Sequence, residues 1–352
     1  MSDEPVWPGR DAGTVRIGGV GAARGERRHG RLWVTGYPPD LMPDLLLVVG
    51  ARPGPVLAVV AGVHGDEGAA VAAALRLARG ARPETMAGSL VVLPVANVPG
   101  FRDRRAVVNP LDGQDLDRLF PGAPRGGPSV RLAHALVDQL ALAVDAVVDL
   151  HGGGHGERLT PFTLVPESEA APPAALERSL ALARAAALGP LVRAPLVGSL
   201  ATAMLARGLP AVRLAAGSLG LAEREAVTAL VRGVRRLMAA LATAPGPSPS
   251  RRERPPLALT RVLAPADGYW RPLTLPTDRI GACAQLGRLT RRGDGGVRAT
   301  AEAVRSPVGG TVLMIQADIS ARAGAPLALL ATPAPAAARA DRNALAPGGG
   351  LG

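Results

Sequence analysis

The sequence predicts a layered α/β fold followed by a small β domain. Short apolar runs, bounded by glycine and proline, alternate with segments whose apolar residues repeat at helical spacing, and this alternation is typical of helices packed on a sheet. After residue 244 the composition changes to proline, serine and arginine, and then to short strand-like runs. Hydrophobic residues make up 47% of the 352-residue chain and aromatic residues only 2%, so the core must be built from alanine, valine and leucine.

Apolar runs predict the buried strands of the central sheet, because a strand covered on both faces is apolar at successive positions. These runs are residues 45–49, 56–61, 90–95, 144–150, 162–165 and 211–215. Apolar residues at helical spacing predict the helices that cover the sheet. These helices are residues 68–79, 130–142, 176–187 and 221–241.

Composition divides the chain into five segments. A stretch rich in proline, serine and arginine is typical of a linker, and a tail of alanine, proline and glycine has too little to bury and is predicted to be disordered. The predicted segments are an N-terminal segment with leading strands (1–39), the main α/β domain (40–245), the linker (246–256), the C-terminal β domain (257–332) and the tail (333–352).

Charge and cysteine content limit the partners and the compartment. The formal net charge is +11 and all 40 basic residues are arginine, but they are scattered instead of clustered on one segment, so we predict no nucleic-acid partner. The single cysteine, Cys283, excludes an intramolecular disulfide and is expected to be a buried small residue. An acidic N-terminus and the absence of a run of 18 apolar residues predict neither a signal peptide nor a membrane span, and therefore a cytoplasmic protein.

The first candidate site follows the second predicted strand. Residues 62–68 read GVHGDEG, which places His64 and Glu67 between a strand end and a helix start, where α/β proteins bind ligands. A neutral imidazole and a carboxylate are good zinc ligands. The alternative is a solvated loop without a ligand.

The second candidate site lies at the end of another buried strand. Residues 148–154 read VDLHGGG, and His151 can supply a third ligand. The strand period of two places Asp149 on the same side as His151, where its carboxylate can hold the other ring nitrogen. Two histidines and one glutamate with an open fourth position form a catalytic type of zinc site. A lone histidine at a strand end is more often structural, but two such motifs together favour a metal.

A third motif completes a family pattern. Residues 97–101 (NVPGF) are followed by an arginine-rich loop, and residues 112–122 read DGQDLDRLFPG. The order GxHGDE, NxPGF, DGxDLxRxFPG and DLHG resembles the aspartoacylase/succinylglutamate desuccinylase family of zinc hydrolases, over residues 40–245. The resemblance implies a zinc carboxypeptidase-like α/β/α domain with a mixed central sheet, and Zn²⁺ bound by His64, Glu67 and His151.

The resemblance also implies how a small-molecule substrate is bound. Arg118 matches the residue that clamps a substrate carboxylate, for which a guanidinium is suited by its paired N–H donors. Asn97 and Asp117 lie in the substrate-binding motifs. One arginine of the intervening loop polarises the scissile carbonyl. It is assigned to Arg105, with Arg102 or Arg104 as alternatives. The implied activity is hydrolysis of an amide or ester bond in a molecule such as an N-acyl amino acid.

Two stretches depart from the family pattern. Asp117 stands where the family has asparagine, and its charge should repel a substrate carboxylate unless it pairs with Arg118 or meets another cationic group. The family's general-base glutamate lies in a P-A-x-T-x-E-x-G strand. Residues 210–217 read PAVRLAAG, so Arg213 replaces the threonine and Ala215 replaces the glutamate.

The missing glutamate leaves two hypotheses. A general base is worth about 10²–10⁴ in rate. Glu157 and His155, in the glycine-rich loop after His151, are possible substitutes, and the role is assigned to Glu157; the alternative is that both are solvated loop residues. Otherwise the chain is a non-catalytic zinc protein. The C-terminal domain resembles a biotinyl/lipoyl-like module but has no lysine to carry a group, so it is expected to cover the main domain or form a homo-oligomer.

Overall fold

A computed structural model describes residues 9–11, 13–103, 107–242, 255–291 and 301–334. Arg104 and Arg105, residues 246–254 of the predicted linker and residues 335–352 of the predicted tail lie outside the described residues.

Strands and helices alternate along the main part of the chain, with strands before and after it. The N-terminal strands are β1 (Gly9–Asp11), β2 (Thr14–Ile17), β3 (Val20–Ala23) and β4 (Arg27–Arg31). The main part contains β5 (Asp44–Val49), β6 (Arg52–Val60), α1 (Gly68–Gly80), β7 (Ala87–Leu93), α2 (Val98–Asp103), α3 (Pro128–Ala143), β8 (Ala146–His151), β9 (Glu157–Leu159), β10 (Phe162–Glu167), α4 (Pro173–Ala186), β11 (Leu191–Pro195), α5 (Leu200–Ala206), β12 (Ala211–Ala215) and α6 (Arg224–Ala242). The C-terminal strands are β13 (Leu257–Leu263), β14 (Gly268–Pro272), β15 (Arg279–Ile280), β16 (Gln285–Arg291), β17 (Ala301–Arg305), β18 (Gly310–Gln316), β19 (Ser320–Ala321) and β20 (Pro326–Thr332).

The central sheet is mixed, as the resemblance implied. Its strand order is β15-β18-β20-β13-β11-β10-β12-β8-β6-β7-β5-β4, with β9 attached to β18. The four strands β12, β8, β6 and β7 run parallel. Strand β10 is antiparallel to β12, and β5 is antiparallel to β7. The predicted α/β fold class is therefore confirmed.

Alternate residues of the central strands face two separate helical layers. In β6, Val60 belongs to a core shared with α3 and α5, whereas Leu57 and Val59 belong to a core shared with α1, α4 and α6. Each of these three strand residues is fully buried, which explains why the strand is apolar at successive positions. The result is a three-layer α/β/α arrangement in which the strand ends, and not the sheet faces, remain accessible to a ligand.

The C-terminal strands extend the central sheet. Strand β13 pairs in parallel with β11, and β20 then pairs with β13. Strands β14, β16, β17 and β19 form a second sheet, whose core includes the buried Trp270. Strand β18 also pairs with β9, with Gln316 opposite Glu157. The C-terminal part therefore contacts the loop that follows the predicted metal ligand His151.

One sequence prediction about this part is wrong. Cys283 is exposed, because it lies in a turn after β15 where its backbone adopts a φ of 62° and its amide donates to the carbonyl oxygen of Ser306. Residue type alone does not reveal such a turn. In the described part of the chain, no helix has the length and apolar character needed to span a membrane.

Candidate metal centre

Three polar side chains converge where β6 and β8 end. His64 lies in the turn after β6, Glu67 directly precedes α1, and His151 is the last residue of β8. Since β6 and β8 are parallel neighbours, their carboxyl ends meet at one edge of the sheet. The ligand atoms of the three residues lie within 4.8 Å of one another. The structure thus brings together all three residues predicted to bind a metal.

The Glu67 carboxylate lies between the two imidazole rings. Its Oε1 is 2.9 Å from Nδ1 of His64 and 3.2 Å from Nδ1 of His151. The ring centroids are 5.3 Å apart and the rings stand edge to face. Each histidine therefore presents its Nδ1 atom, and not Nε2, to the centre of the group.

The outer nitrogen of each histidine meets a second carboxylate. Nε2 of His151 lies 3.1 Å from Oδ1 of Asp149, and Nε2 of His64 lies 3.3 Å from Oδ1 of Asp115. When Nε2 carries the proton and donates it to the carboxylate, the lone pair of Nδ1 is free to bind a metal. Asp149 occupies the place predicted for it. Asp115, which lies in the stretch DGQDLDR, was not predicted to belong to the site.

This donor set fits a divalent metal ion. Oε2 of Glu67 is buried and forms no hydrogen bond within the part of the chain that the structure describes, although it lies 3.1 Å from Nδ1 of His151. A buried carboxylate oxygen requires a partner, and a cation held between it and the two Nδ1 atoms would supply one. Two imidazoles and one carboxylate are a ligand set that zinc takes in catalytic sites.

Burial and charge shift the pKa values of these groups. Burial alone would raise the pKa of Glu67, but the charges of His151 and His64 outweigh it and lower that pKa to about 2. Burial and the charge of Arg213 would lower the pKa of His151, yet Asp149 and Glu67 raise it to about 9. The site therefore retains protons on its imidazoles unless a cation displaces them.

Removing the metal should make stability depend on pH. The raised pKa of His151, about 9 against an ordinary 6.5, stabilises the folded chain below pH 6.5, and this contribution is lost as the pH rises through 9. The lowered pKa of Glu67, about 2 against an ordinary 4.5, stabilises it above pH 4.5, and this contribution is lost as the pH falls through 2. We expect the melting temperature of chelator-treated protein to be highest between pH 4.5 and 6.5, where both contributions are present.

Thermal unfolding of chelator-treated protein across this pH range, repeated with zinc added, tests the expectation. Zinc should reduce the loss of stability at high pH, because a metal binds the neutral imidazole. A melting temperature that stays constant from pH 6.5 to 9 in the chelator-treated protein would contradict it.

Asp117 pairs with Arg213 and not with Arg118. Its two oxygens accept from Nη1 and Nη2 of Arg213 at 3.0 and 2.6 Å. Arg213 also donates from Nε and Nη2 to Oδ2 of Asp149, at 3.0 and 2.7 Å. The guanidinium shared by Asp117 and Asp149 offsets part of their charge, and it reduces the repulsion of a substrate carboxylate expected from the sequence. The two substitutions at positions 117 and 213 form one ion pair.

Arg118 lies at the rim of the site. Its Nε contacts Oδ2 of Asp115 at 3.0 Å, while its side chain is 80% exposed. The remaining N–H groups of such an exposed guanidinium can reach a ligand in solution.

Glu157 is held beside the centre by the loop after His151. Its Oε2 accepts a hydrogen bond from the amide of Gly154 at 3.1 Å. Burial raises the pKa of Glu157; the Gly154 amide opposes this, and the nearby charge of Glu67 adds to it. A carboxyl group with a raised pKa is suited to proton transfer near neutral pH.

Ala215 is buried beside the site. It pairs with His151 across parallel strands, so both residues face the same side of the sheet. It belongs to an apolar cluster with Phe162, Leu164 and Leu313. A carboxylate at position 215 would therefore face the metal centre, and none is present.

The other predicted site residues have different surroundings. Asn97 is fully buried and its Oδ1 accepts from the amide of Gly100, which stabilises the first turn of α2, so its contact with a substrate stays a prediction. Arg102 donates to Asp40 through Nη1 and Nη2 at the surface. The assignment of carbonyl polarisation to Arg105 concerns a residue outside the described ranges.

Gly65 allows the metal-binding turn to pack against α2. A Cβ atom at this position would overlap backbone atoms of Gly100 and Phe101, which cannot rotate away. Gly65→Ala is expected to destabilise the fold by about 1–3 kcal/mol and to weaken metal binding by displacing His64. Thermal unfolding and metal content measure both effects. Gly281→Ala is the matched control, because its Cβ would meet nothing within 4 Å; equal stability of the two variants would contradict the prediction.

Comparison with known proteins identifies a family that covers the main part of the chain. The family model for the succinylglutamate desuccinylase/aspartoacylase catalytic domain matches residues 53–241. The chain is 34% identical over 115 residues to N-alpha-acetyl-L-2,4-diaminobutyric acid deacetylase of Halomonas elongata. That alignment covers 33% of this chain and 33% of the deacetylase, so the match spans about a third of the relative's length.

Solved structures share the fold over most of the chain. A succinylglutamate desuccinylase/aspartoacylase from Rhodobacter sphaeroides aligns with a TM-score of 0.74 at 24% identity, covering 88% of this chain and 96% of that chain. The product-bound ectoine utilization protein EutE (DoeB) from Ruegeria pomeroyi aligns with a TM-score of 0.73 at 22% identity, covering 87% and 95%. At these identities the likeness establishes the fold.

Proposed function

Because the chain belongs to the succinylglutamate desuccinylase/aspartoacylase family, we propose that it is a zinc-dependent deacylase of small acylated molecules such as N-acyl amino acids. The observation that carries the proposal is the convergence of Nδ1 of His64, Nδ1 of His151 and the Glu67 carboxylate. The similarity to a deacetylase of an N-acetylated amino acid supports the same substrate class.

Each residue has a defined role in the proposed reaction. His64, Glu67 and His151 would hold zinc, which when bound polarises a water molecule and the scissile carbonyl. Arg118, exposed at the rim, binds the substrate carboxylate. Glu157 takes a proton from the attacking water and gives it to the leaving nitrogen as the C–N bond breaks. The products are a carboxylic acid, which keeps the oxygen from water, and a free amine.

Two measurements on the native protein test the proposal. Metal analysis should give about one zinc per chain, as for a site with three protein ligands. A panel of N-acetylated and N-succinylated amino acids, including N-acetylated diamino acids and matched esters, should contain a substrate whose hydrolysis stops on chelation and returns with zinc. Turnover that persists at full rate in metal-free protein would exclude the proposed mechanism.

The second candidate function is a non-catalytic zinc protein. Ala215 favours it, because the position of the family's general base is apolar and packed against Phe162 and Leu313. Ala215→Glu places a carboxylate on the side of the sheet that His151 faces, and Ala215→Gln is the matched control without a charge. If hydrolysis of the panel appears only in Ala215→Glu, the native chain binds zinc without catalysis. If the native chain already hydrolyses a substrate of the panel, Glu157 or another group transfers the proton.

The proposal also concerns the ligand, the partners and the location of the protein. We propose a small molecule as the ligand, with no nucleic acid or membrane partner, and a cytoplasmic site of action.

A further inference from the structure

A network of ion pairs extends outward from the metal centre. Glu67 contacts both histidines, Asp115 contacts His64, and Asp149 contacts His151. Arg118 pairs with Asp115, and Arg213 pairs with both Asp117 and Asp149. Hydrogen bonds link Asp117 through Arg213 and Asp149 to His151, and the proposed reaction gives no role to the two outer residues, Asp117 and Arg213.

The Arg213 guanidinium lies within a second potential metal site. Ligand atoms of Asp117, Asp149 and His151 lie within 4.8 Å of one another, as do those of the first site. Arg213 contacts two of these three groups, at 2.6 Å for Asp117 and 2.7 Å for Asp149. It is 9% exposed and comes from β12, the strand next to β8. The positively charged guanidinium of Arg213 thus lies among side chains that could otherwise bind a metal ion.

The charges of the network balance with one dication. Four carboxylates, those of Glu67, Asp115, Asp117 and Asp149, face two guanidiniums, those of Arg118 and Arg213. With neutral histidines these ion-paired groups carry two negative charges, which one divalent ion cancels; Glu157 is not counted among them, because its carboxylate is held by the Gly154 amide and not by these groups. Arginine keeps its charge in proteins, so its contribution does not depend on pH.

We propose that Arg213 is a positioning residue that replaces a second metal ion between Asp117 and Asp149 and orients His151 through Asp149. This inference rests on the proposed zinc site, and it further predicts that the site binds one metal ion and not two. Asp117 and Arg213 act as a matched pair: each alone would upset the charge balance, and both together restore it. The role of Asp117 is accordingly to bind Arg213, and not to bind the substrate.

Charge-matched variants test the inference through metal stoichiometry and affinity. In equilibrium dialysis against zinc, the native chain and Arg213→Lys, which keeps the charge, should bind one zinc ion. Arg213→Met keeps the volume but removes the cation between Asp117 and Asp149, whose ligand atoms lie within reach of one another and of His151, the residue that both groups share, so it should take up a second zinc ion there. Arg213→Met combined with Asp117→Asn removes one charge of each sign and should bind one again. A single zinc ion bound by Arg213→Met with native affinity would overturn the inference.

Asp117→Asn alone provides a second test if Arg213→Met does not fold. It leaves the network with one positive charge too many once zinc is bound. Zinc affinity, measured by competition with a chelator, should fall by about 10–100-fold, the usual effect of altering a partner of a ligand histidine. Adding Arg213→Met should restore most of the loss, which a purely structural role would not do. Native affinity in Asp117→Asn would overturn the inference.

The two proposals fail in different ways. If the native chain binds no zinc, the proposed metal centre is wrong whatever Arg213 does. If the native chain binds one zinc ion and all variants bind one with equal affinity, the metal centre stands and only the role of Arg213 is overturned.

Discussion

Replacing His151 by alanine is expected to remove zinc from the protein. His151 is buried at the end of β8, and its Nδ1 lies 3.2 Å from Oε1 of Glu67. Losing an outer partner of a metal ligand already costs about 10–100-fold in affinity, so losing the ligand itself should cost at least about 100-fold. Equilibrium dialysis at a free zinc concentration that half-fills the native site should therefore leave on the order of one zinc or fewer per hundred chains, and hydrolysis should be lost with the metal.

His29→Ala is the matched control for this variant. His29 lies on β4 and its side chain is 63% exposed, with Asp44 3.8 Å away. Its removal should change neither zinc content nor activity. A His151→Ala protein that binds as much zinc as the native chain would show that the metal, if any, binds elsewhere.

Replacing Glu157 by glutamine is expected to lower kcat by about 10²–10⁴-fold, the usual contribution of general acid–base catalysis. The change keeps the size of the side chain and its acceptor for the Gly154 amide, so the loop should be preserved. Zinc content should be unchanged, since Glu157 is not among the three residues whose ligand atoms converge. Because burial raises the pKa of Glu157, the native kcat should decline on the acid side at a pH above 4.5, and this decline should disappear in the variant.

Glu169→Gln, at an exposed position, controls for loss of an acidic residue. Steady-state kinetics across pH, on the best substrate of the acyl amino acid panel, measure both variants. Native kcat in Glu157→Gln would exclude Glu157 as the proton-transfer group.

The sequence was sufficient to predict the architecture and the convergence of the metal site. Apolar runs marked the central strands, and a His or Glu at the end of each of two such strands can only meet if the strands are parallel neighbours. The family pattern added that the sheet is mixed, which periodicity does not reveal. Boundaries differed by a few residues; the helix predicted at 130–142, for example, begins at Pro128.

Pairing between distant residues could not be predicted from the sequence. Asp117 and Arg213 are separated by 96 positions, and each alone looked like a damaging substitution. Their neighbours gave no sign that they meet, because contact depends on how the loop before α3 lies over β12. The same holds for Asp115 and His64, and for the C-terminal strands that continue the central sheet instead of standing apart from it.

The pairing of β9 with β18 sets an order of events during synthesis of the chain. All three metal ligands have left the ribosome's active centre once residue 151 is added, but Glu157 lies opposite Gln316, which follows 159 residues later. At about 5–20 residues per second, this segment takes on the order of ten to thirty seconds to make. The residues proposed to bind the metal are therefore made well before the strand that pairs with the loop of Glu157.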